Sequence, residues 1–277
     1  ACSGARFVIV RKEYTLLFVV ALTITAVTRT PSIIYTQTPF NPATKLSRPI
    51  STLRRIFGLR AIITPALHSH ADLGRHPVRA RSLVPFAQPP PQHVANVRWS
   101  ERTIDVCVIG KFVPRKQHLE TVSALKEVAM ILGRPLSVLI VGEMVPGHSD
   151  DLIQQIEAYG KEAAPHLHID IEKNLAWIDT QRRLQDSKVF VLNSIREPAS
   201  VSQLEAMANG AIPFINPDNG TAHYILPEST GFLAASRKAL VRNLVEVFSH
   251  PSKGVEMSLA CQKSYREDFD LRAVGDR

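Results

Sequence analysis

The sequence predicts an α/β protein made of doubly wound domains, in which helices cover both faces of a parallel sheet. Short runs of apolar and β-branched residues alternate with segments of helical periodicity along most of the 277 residues. One stretch with three consecutive prolines, AQPPPQHVANVRW, interrupts this alternation. The composition is globular, with 45% hydrophobic and 21% charged residues, and the length suffices for two hydrophobic cores. We therefore expect two domains.

The first domain, residues 1–90, contains few of these alternating strands and helices. The expected helices are at 14–27 and 50–58, and the expected strands are at 7–10, 32–35, 60–64 and 82–85. The apolar run at 16–27 is shorter than the roughly 20 residues that cross a bilayer, so we expect a buried helix. A complete doubly wound domain normally has more strands, and the chain begins with Ala1 directly before a strand. This domain is therefore expected to be truncated at its amino end.

The second domain, residues 104–277, is more regular and follows a linker at 91–103. The expected strands are at 105–109, 137–141, 166–171, 189–192, 211–215 and 231–233. The expected helices are at 119–132, 150–162, 176–185, 198–208, 237–249 and 255–268. This is a complete doubly wound domain, and ligands bind such domains at the carboxyl ends of the strands.

Two glutamates follow the strand at 189–192. Pro198 is best tolerated in a first helical turn, which would put Glu197 at the start of the helix and Glu205 about two turns further on. Eight residues at about 100° each place the second carboxylate roughly 80° around the helix, towards its apolar side. A buried carboxylate there needs a hydrogen-bond partner. The free N–H groups of Ala199, Ser200 and Val201 would offer an anion site.

A basic loop follows the first strand of the second domain, reading Gly110-Lys111-Phe112-Val113-Pro114-Arg115-Lys116. Gly110 allows a ligand to approach the backbone closely, and Lys111 and Lys116 can bracket a diphosphate. Both this loop and Glu197 lie at carboxyl ends of strands. They should therefore face the same crevice of the sheet.

The E-x7-E spacing, followed by Ala206-Met207-Ala208-x-Gly210-x-x-Pro213, resembles the signature of retaining, nucleotide-sugar-dependent glycosyltransferases of the group 1 family. The resemblance covers residues 104–268 well and 7–86 loosely. It implies the GT-B fold, with two Rossmann-like doubly wound domains, the first of them truncated here. The basic loop is similar to the family's G-R or G-K followed by E-K-G or a similar triplet.

The resemblance also implies roles for these residues. Those expected to act in catalysis are Glu197 beside the sugar and Lys116 and Lys111 on the diphosphate. Those expected to bind the donor nucleotide are Glu205 on the ribose hydroxyls, the Ser200 and Val201 N–H groups on the distal phosphate, and Gly110. No metal or other cofactor is required, because lysines and helix N–H groups supply the positive charge. The chain departs from the family at Pro198-Ala199-Ser200, where glycines are usual, and at His223, where an acid is usual.

The charge is unevenly distributed. Residues 1–100 contain 13 Lys and Arg against Glu13 and Asp72, whereas the remaining residues contain 20 against 23. The basic part is expected to meet an anionic partner, either a bilayer surface or a phosphorylated acceptor, unless it reflects only a generally basic proteome. No nucleic-acid recognition motif is present. Three separated cysteines fit a reduced, cytoplasmic protein, which could contact the inner membrane face peripherally.

The expected activity is transfer of a sugar from a nucleoside-diphosphate sugar to a glycan, lipid-linked or small-molecule acceptor. One alternative is a catalytically silent nucleotide-sugar-binding or assembly subunit, since the first domain is incomplete. A sheet-based nucleic-acid protein and an epimerase on the same fold are further alternatives. The sequence leaves the donor base, the sugar and the acceptor open.

Overall fold

A computed structural model describes residues 8–11, 16–35, 59–63, 97–197 and 199–270 of the chain. The chain divides into two compact units, Ala1–Pro85 and Phe86–Arg277. The helix expected at 50–58 and the strand expected at 82–85 lie outside the described residues. Within the described ranges, none of the helices is both long and apolar enough to span a membrane.

The first unit contains a three-stranded parallel sheet and a helix. Its elements are β1 (Val8–Arg11), α1 (Leu16–Val27), β2 (Ser32–Tyr35) and β3 (Leu59–Ile63). The strands lie in the order β1-β2-β3, as successive crossover connections of one hand produce. The strands and the helix expected before residue 36 are confirmed to within two residues at each end.

The second unit is a six-stranded parallel sheet flanked by helices. Its strands are β4 (Ile104–Ile109), β5 (Leu136–Gly142), β6 (Leu167–Lys173), β7 (Ser187–Leu192), β8 (Ile212–Ile215) and β9 (Phe232–Leu233). Its helices are α2 (His118–Leu132), α3 (Ser149–Ala163), α4 (Trp177–Gln185), α5 (Val201–Ala208), α6 (Arg237–Ser249) and α7 (Pro251–Ser264). All six strands expected from the sequence are present.

The strand order, β6-β5-β4-β7-β8-β9, positions the functional loops. Numbered within this unit it is 3-2-1-4-5-6, the order of the dinucleotide-binding fold. The direction of winding reverses between β4 and β7, which pair along Val106 and Val189. The loops that follow these two strands therefore diverge and leave a crevice at the carboxyl edge, where such folds bind their ligands.

Both faces of the sheet are buried at strands β4, β5, β7 and β8, which explains why these strands are largely apolar without alternation, whereas the edge strand β6 alternates apolar and polar residues. Val106 and Val108 face a cluster that includes Leu125 of α2, Ile156 of α3 and Leu244 of α6. Intervening residues face the opposite cluster, among them Cys107 and Phe190, together with Leu204 of α5 and Cys261 of α7. The two central strands are thereby held between helical layers, and the loops at their ends are fixed to a rigid scaffold.

Two helix starts differ from the sequence-based expectation. Helix α5 begins at Val201 and not at Pro198, because the Ser200 side chain caps it by accepting a hydrogen bond from the Gln203 N–H (3.1 Å). Glu197 therefore lies well before the helix and not at its start. Helix α7 begins at Pro251, four residues earlier than expected, with proline in the first turn.

Residues 97–103, which the sequence assigns to the linker, pack against the second unit. Trp99 is buried, and its indole N–H donates to the Lys188 carbonyl (2.9 Å). Arg102 is also buried and donates to the carbonyls of Ser187 (2.8 Å) and Asn209 (2.9 Å). Burial lowers the pKa of Arg102 to about 10. These residues are structurally part of the sheet unit.

Candidate functional site

The two loops predicted to share a crevice do lie together. The loop after β4 contains a 3-10 turn, Pro114–Lys116, and the loop after β7 leads to Glu197. A backbone hydrogen bond from the Ile195 N–H to the Arg115 carbonyl (3.0 Å) joins the two loops directly. The strand order alone would bring them near each other, and this bond fixes their spacing.

Glu197 and Lys116 form the centre of the site. The Lys116 ammonium donates to Glu197 Oε2 at 2.5 Å, and the Arg115 guanidinium donates to the same oxygen at 2.8 Å. The Glu197 side chain is 8% exposed and that of Lys116 is 10% exposed. Burial lowers the pKa of Lys116, opposed by the Glu197 carboxylate. The sequence predicted that Lys116 and Glu197 share one crevice. It did not predict that Arg115 is the second partner of the carboxylate.

Lys111 occupies a different position. Its ammonium lies 2.9 Å from the Glu143 carboxylate at the end of β5, and both side chains are more than half exposed. The two lysines therefore have different carboxylate partners. Gly110 lies at the start of this loop, and a Cβ atom there would be 3.1 Å from the Lys116 side chain. Glycine at this position lets the lysine stem lie against the backbone.

A cavity of about 490 Å³ opens beside this loop, at the carboxyl ends of β4, β5 and β6. It is lined by residues 109–111, 141–143, 174–175 and Thr180. Gly142 is required at its base, because a Cβ there would lie 2.5 Å from the Gly110 carbonyl oxygen. The cavity thus has a backbone-lined floor and the Lys111 ammonium at its rim.

Glu205 is buried on α5, and α4 supplies its partner. The Trp177 indole N–H donates to Glu205 Oε1 at 2.7 Å. Burial raises the pKa of Glu205, opposed by hydrogen bonds from Trp177 and Gln181. The expected need for a hydrogen-bond partner is met. No local sequence signal connects Trp177 to Glu205, because only the packing of α4 on α5 brings them together.

The start of α5 is less open than the sequence predicts. The Ser200 N–H, expected to be free, donates to Thr221 Oγ1 at 3.1 Å. The Thr221 hydroxyl in turn donates its one proton to Asn219 Oδ1 (2.8 Å) or to Gln203 Oε1 (3.0 Å), and the Gln203 amide donates to the Thr221 carbonyl (3.0 Å), so these side chains form a buried polar network. The expectation of a free Ser200 N–H is therefore wrong. The cause is the loop after β8, in which the Thr221 hydroxyl accepts the Ser200 N–H and is itself held by Asn219. Val201 is the first helical residue.

In the described part of the chain, no group of three or more His, Cys, Asp or Glu side chains could hold a metal ion. The positive charge at the crevice comes from Lys116, Arg115 and Lys111.

A family model described as "Glycosyl transferases group 1" matches residues 91–267. The chain belongs to the group 1 glycosyl transferases. It is therefore a glycosyltransferase, and the matched region contains the loop Gly110–Lys116, the E-x7-E pair and the sheet that holds them. None of the curated protein sequences is significantly similar to the chain.

Solved structures show the GT-B fold at low sequence identity. Anabaena HepE in complex with UDP has a TM-score of 0.79 and 14% identity, covering 97% of this chain and 76% of that one. A glycosyltransferase from Rickettsia africae has a TM-score of 0.76 and 12% identity, covering 99% and 75%. Sucrose-phosphate synthase from Thermosynechococcus elongatus has a TM-score of 0.68 and 16% identity, covering 99% and 72%. This group 1 glycosyltransferase thus has an α/β fold with parallel sheets of the GT-B type.

Burial of the Glu205 carboxylate predicts that the stability of this glycosyltransferase depends on pH. Because its pKa is raised above the ordinary 4.5, the folded protein binds a proton at pH values where the unfolded chain has lost it. Stability therefore falls as pH rises from about 4.5 through the folded pKa. We expect Glu205→Gln, which keeps an acceptor for Trp177, to stabilise the protein by about 1 kcal/mol at pH 7 to 8.

Thermal unfolding from pH 4 to pH 8 measures this effect. The gain should vanish towards pH 4, where the unfolded carboxyl is also protonated. Glu256→Gln, at an exposed position of α7, is the matched control and should change the melting temperature little at any pH. An equal gain at pH 4 and pH 8 would contradict the assignment to carboxylate burial.

Proposed function

We propose that this chain is a retaining glycosyltransferase that moves a sugar from a nucleoside-diphosphate sugar to a glycan, lipid-linked or small-molecule acceptor. The observation that carries the proposal is the contact between Lys116 and Glu197 (2.5 Å). It brings the cationic loop and the first glutamate of the E-x7-E pair together at the winding reversal of the sheet. A cation for the leaving phosphate and a carboxylate for the sugar are thereby adjacent.

The donor would extend along the crevice from the cavity to Glu197. The nucleoside would occupy the 490 Å³ cavity, with the backbone of Gly110 and Gly142 allowing close approach. Lys111 and Lys116 would bind the diphosphate from two sides, and Glu205 would accept hydrogen bonds from the ribose hydroxyls. The Val201 N–H would face the distal phosphate. A UDP-sugar is the first donor to test, since HepE structures contain UDP and UDP-glucose.

The chemistry would rest on electrostatic stabilisation. The bond between the anomeric carbon and the diphosphate oxygen breaks, and the acceptor hydroxyl oxygen bonds to that carbon on the same face. The hydroxyl proton leaves with the departing diphosphate. Lys116 and Lys111 would offset the charge that develops on the diphosphate, and Glu197 would hold sugar hydroxyls and stabilise positive charge at the anomeric carbon. No metal or other cofactor takes part in this scheme.

We also propose the compartment of the reaction and the surface that the protein contacts. Nucleotide-sugar donors and reduced cysteines fit the cytoplasm. The basic residues of the first 100 positions would attract an anionic surface, either the inner membrane face or a phosphorylated acceptor. Nucleic acid is not an expected partner.

Thermal shift with UDP, GDP and ADP and their glucose conjugates tests donor binding. A ligand present at 100 times its dissociation constant adds about 2.7 kcal/mol of stability. For a chain of this size we expect a rise of about 5 °C with the preferred donor. Glu205→Ala should lose most of that rise, because the ribose hydroxyls lose their acceptor.

Two outcomes would count against the proposal. If no nucleotide or nucleotide sugar shifts the wild-type melting temperature, the site does not bind a donor of this class. If a donor stabilises wild type and Glu205→Ala equally, the ribose assignment is wrong.

Donor binding without transfer to any acceptor, and without donor hydrolysis, would favour the catalytically silent alternative.

A further inference from the structure

We propose that Arg115 is a positioning residue that acts as the permanent counter-ion of Glu197 and so leaves Lys116 available for the donor diphosphate. This inference rests on the proposed function, because it assumes that a diphosphate binds beside Lys116. It assigns to Arg115 a task that the sequence analysis gave to no residue.

The geometry shows two cations on one carboxylate oxygen. Lys116 Nζ and the Arg115 guanidinium both donate to Glu197 Oε2, at 2.5 and 2.8 Å. Their exposure differs, since 10% of the Lys116 side chain is exposed against 43% of the Arg115 side chain. Lys116 thus lies in the crevice, whereas Arg115 reaches the carboxylate from its outer side. The bond from the Ile195 N–H to the Arg115 carbonyl fixes the Arg115 backbone beside this loop.

Lys116 cannot bind a diphosphate fully if it is the single cation that neutralises Glu197. When one partner of a buried ion pair is withdrawn, the remaining charge is left uncompensated, and this is strongly unfavourable. Glu197 is 8% exposed, so water would compensate it poorly. With Arg115 in place, Glu197 keeps one charge-assisted hydrogen bond after Lys116 turns to the phosphates.

Other charged groups near Glu197 do not replace Arg115. Lys111 pairs with Glu143. The Arg196 guanidinium is not among the ion-pair partners of Glu197 in the described residues, and the Asp218 carboxylate near it accepts the Arg196 backbone N–H (2.8 Å). Among the described residues, the cations that pair with Glu197 are Arg115 and Lys116. Without Arg115, the Glu197 carboxylate should therefore hold Lys116 more strongly.

A double-mutant cycle on nucleotide affinity tests this role without requiring turnover. We expect Arg115→Gln to weaken UDP binding about tenfold, which corresponds to about 1.4 kcal/mol, although Arg115 does not itself contact the diphosphate. Glu197→Gln removes the charge that competes for Lys116 and should bind UDP at least as tightly as wild type. The double variant Arg115→Gln/Glu197→Gln should match Glu197→Gln within about threefold. Isothermal titration calorimetry measures all four dissociation constants.

Two further variants separate positioning from general stability. Arg115→Lys keeps a cation and should lose less than about threefold in UDP affinity. Arg237→Gln, on α6, breaks an exposed ion pair with Glu127 and should leave UDP affinity unchanged. Melting temperatures of all variants show whether each protein is folded.

The outcomes distinguish this inference from the function on which it rests. If wild type binds none of UDP, GDP and ADP, both fail; if GDP or ADP binds in place of UDP, the cycle is measured with that nucleotide. If wild type binds but Arg115→Gln binds equally well, only the positioning role is overturned. If Arg115→Gln weakens binding by the same factor in the wild-type background and in the Glu197→Gln background, Arg115 contacts the diphosphate directly and the positioning role is wrong.

Discussion

Lys116→Gln is expected to lower the rate of sugar transfer about 100- to 1,000-fold, the usual cost of removing one group that stabilises developing charge in a transition state. The Lys116 side chain is 10% exposed and its ammonium lies beside Glu197, so the charge is largely shielded from water, and this desolvation lowers the pKa of Lys116. A positive charge acts more strongly there than in solvent. Glutamine keeps hydrogen-bonding capacity and approximate length but removes the charge. The loss should therefore fall mainly on kcat.

Release of nucleoside diphosphate from the donor selected by thermal shift gives the measurement. Lys111→Gln is the matched control, because Lys111 belongs to the same loop but is more than half exposed and paired with Glu143. Solvent screens such a charge, so we expect a loss of less than about tenfold, mostly in donor KM. Equal losses in kcat for the two variants would contradict the assignment of Lys116 as the principal cation.

The sequence predicted the scaffold well because its central strands are buried on both faces. Runs such as Val189–Leu192 have no polar alternation, which is typical of a parallel sheet between two helical layers. The order of strands and helices then places the basic loop and Glu197 at one edge of the sheet. The contact between Lys116 and Glu197 agrees with that expectation.

The start of α5 could have been predicted better. Ser200-x-x-Gln203 is a helix-capping pattern, and it places the first helical residue at Val201. The prediction relied instead on the tolerance of proline in a first turn. Because the helix starts later, the two glutamates lie on different kinds of backbone, Glu197 before the helix and Glu205 within it.

The partners of the site residues could not be predicted from sequence. Trp177 reaches Glu205 from another helix, and Thr221 reaches the Ser200 N–H from a loop after β8. These contacts depend on how helices pack over the sheet, which hydrophobic periodicity does not specify. Arg115 is the sequence neighbour of Lys116, but the sequence does not show which of the two side chains faces Glu197. In the structure, the 3-10 turn that contains them directs both side chains to this carboxylate.

Trp99→Ala is expected to destabilise the second unit by about 3 to 5 kcal/mol, the usual cost of truncating a buried tryptophan. The side chain is 5% exposed, and its indole N–H donates to the Lys188 carbonyl at 2.9 Å. It also packs against α7 at Gly254, where a Cβ would lie 2.5 Å from the indole ring. The variant would leave a cavity and remove the indole hydrogen bond to that carbonyl. Urea unfolding of the full chain measures the free energy of unfolding.

Trp177, the other tryptophan of the chain, provides the matched control. Its side chain is 44% exposed, so little packing is lost, and Trp177→Ala should cost about 1 to 2 kcal/mol in stability, mainly because it removes the hydrogen bond to the buried Glu205 carboxylate. Trp99→Phe should fall between the two, because it keeps an aromatic ring in the core but loses the indole donor and the outer ring atoms that approach Gly254. If Trp99→Ala were no more costly than Trp177→Ala, residues 97–103 would behave as a linker in solution. The packing of Trp99 against β7 and α7 would then contribute little to the stability of the sheet that holds the site.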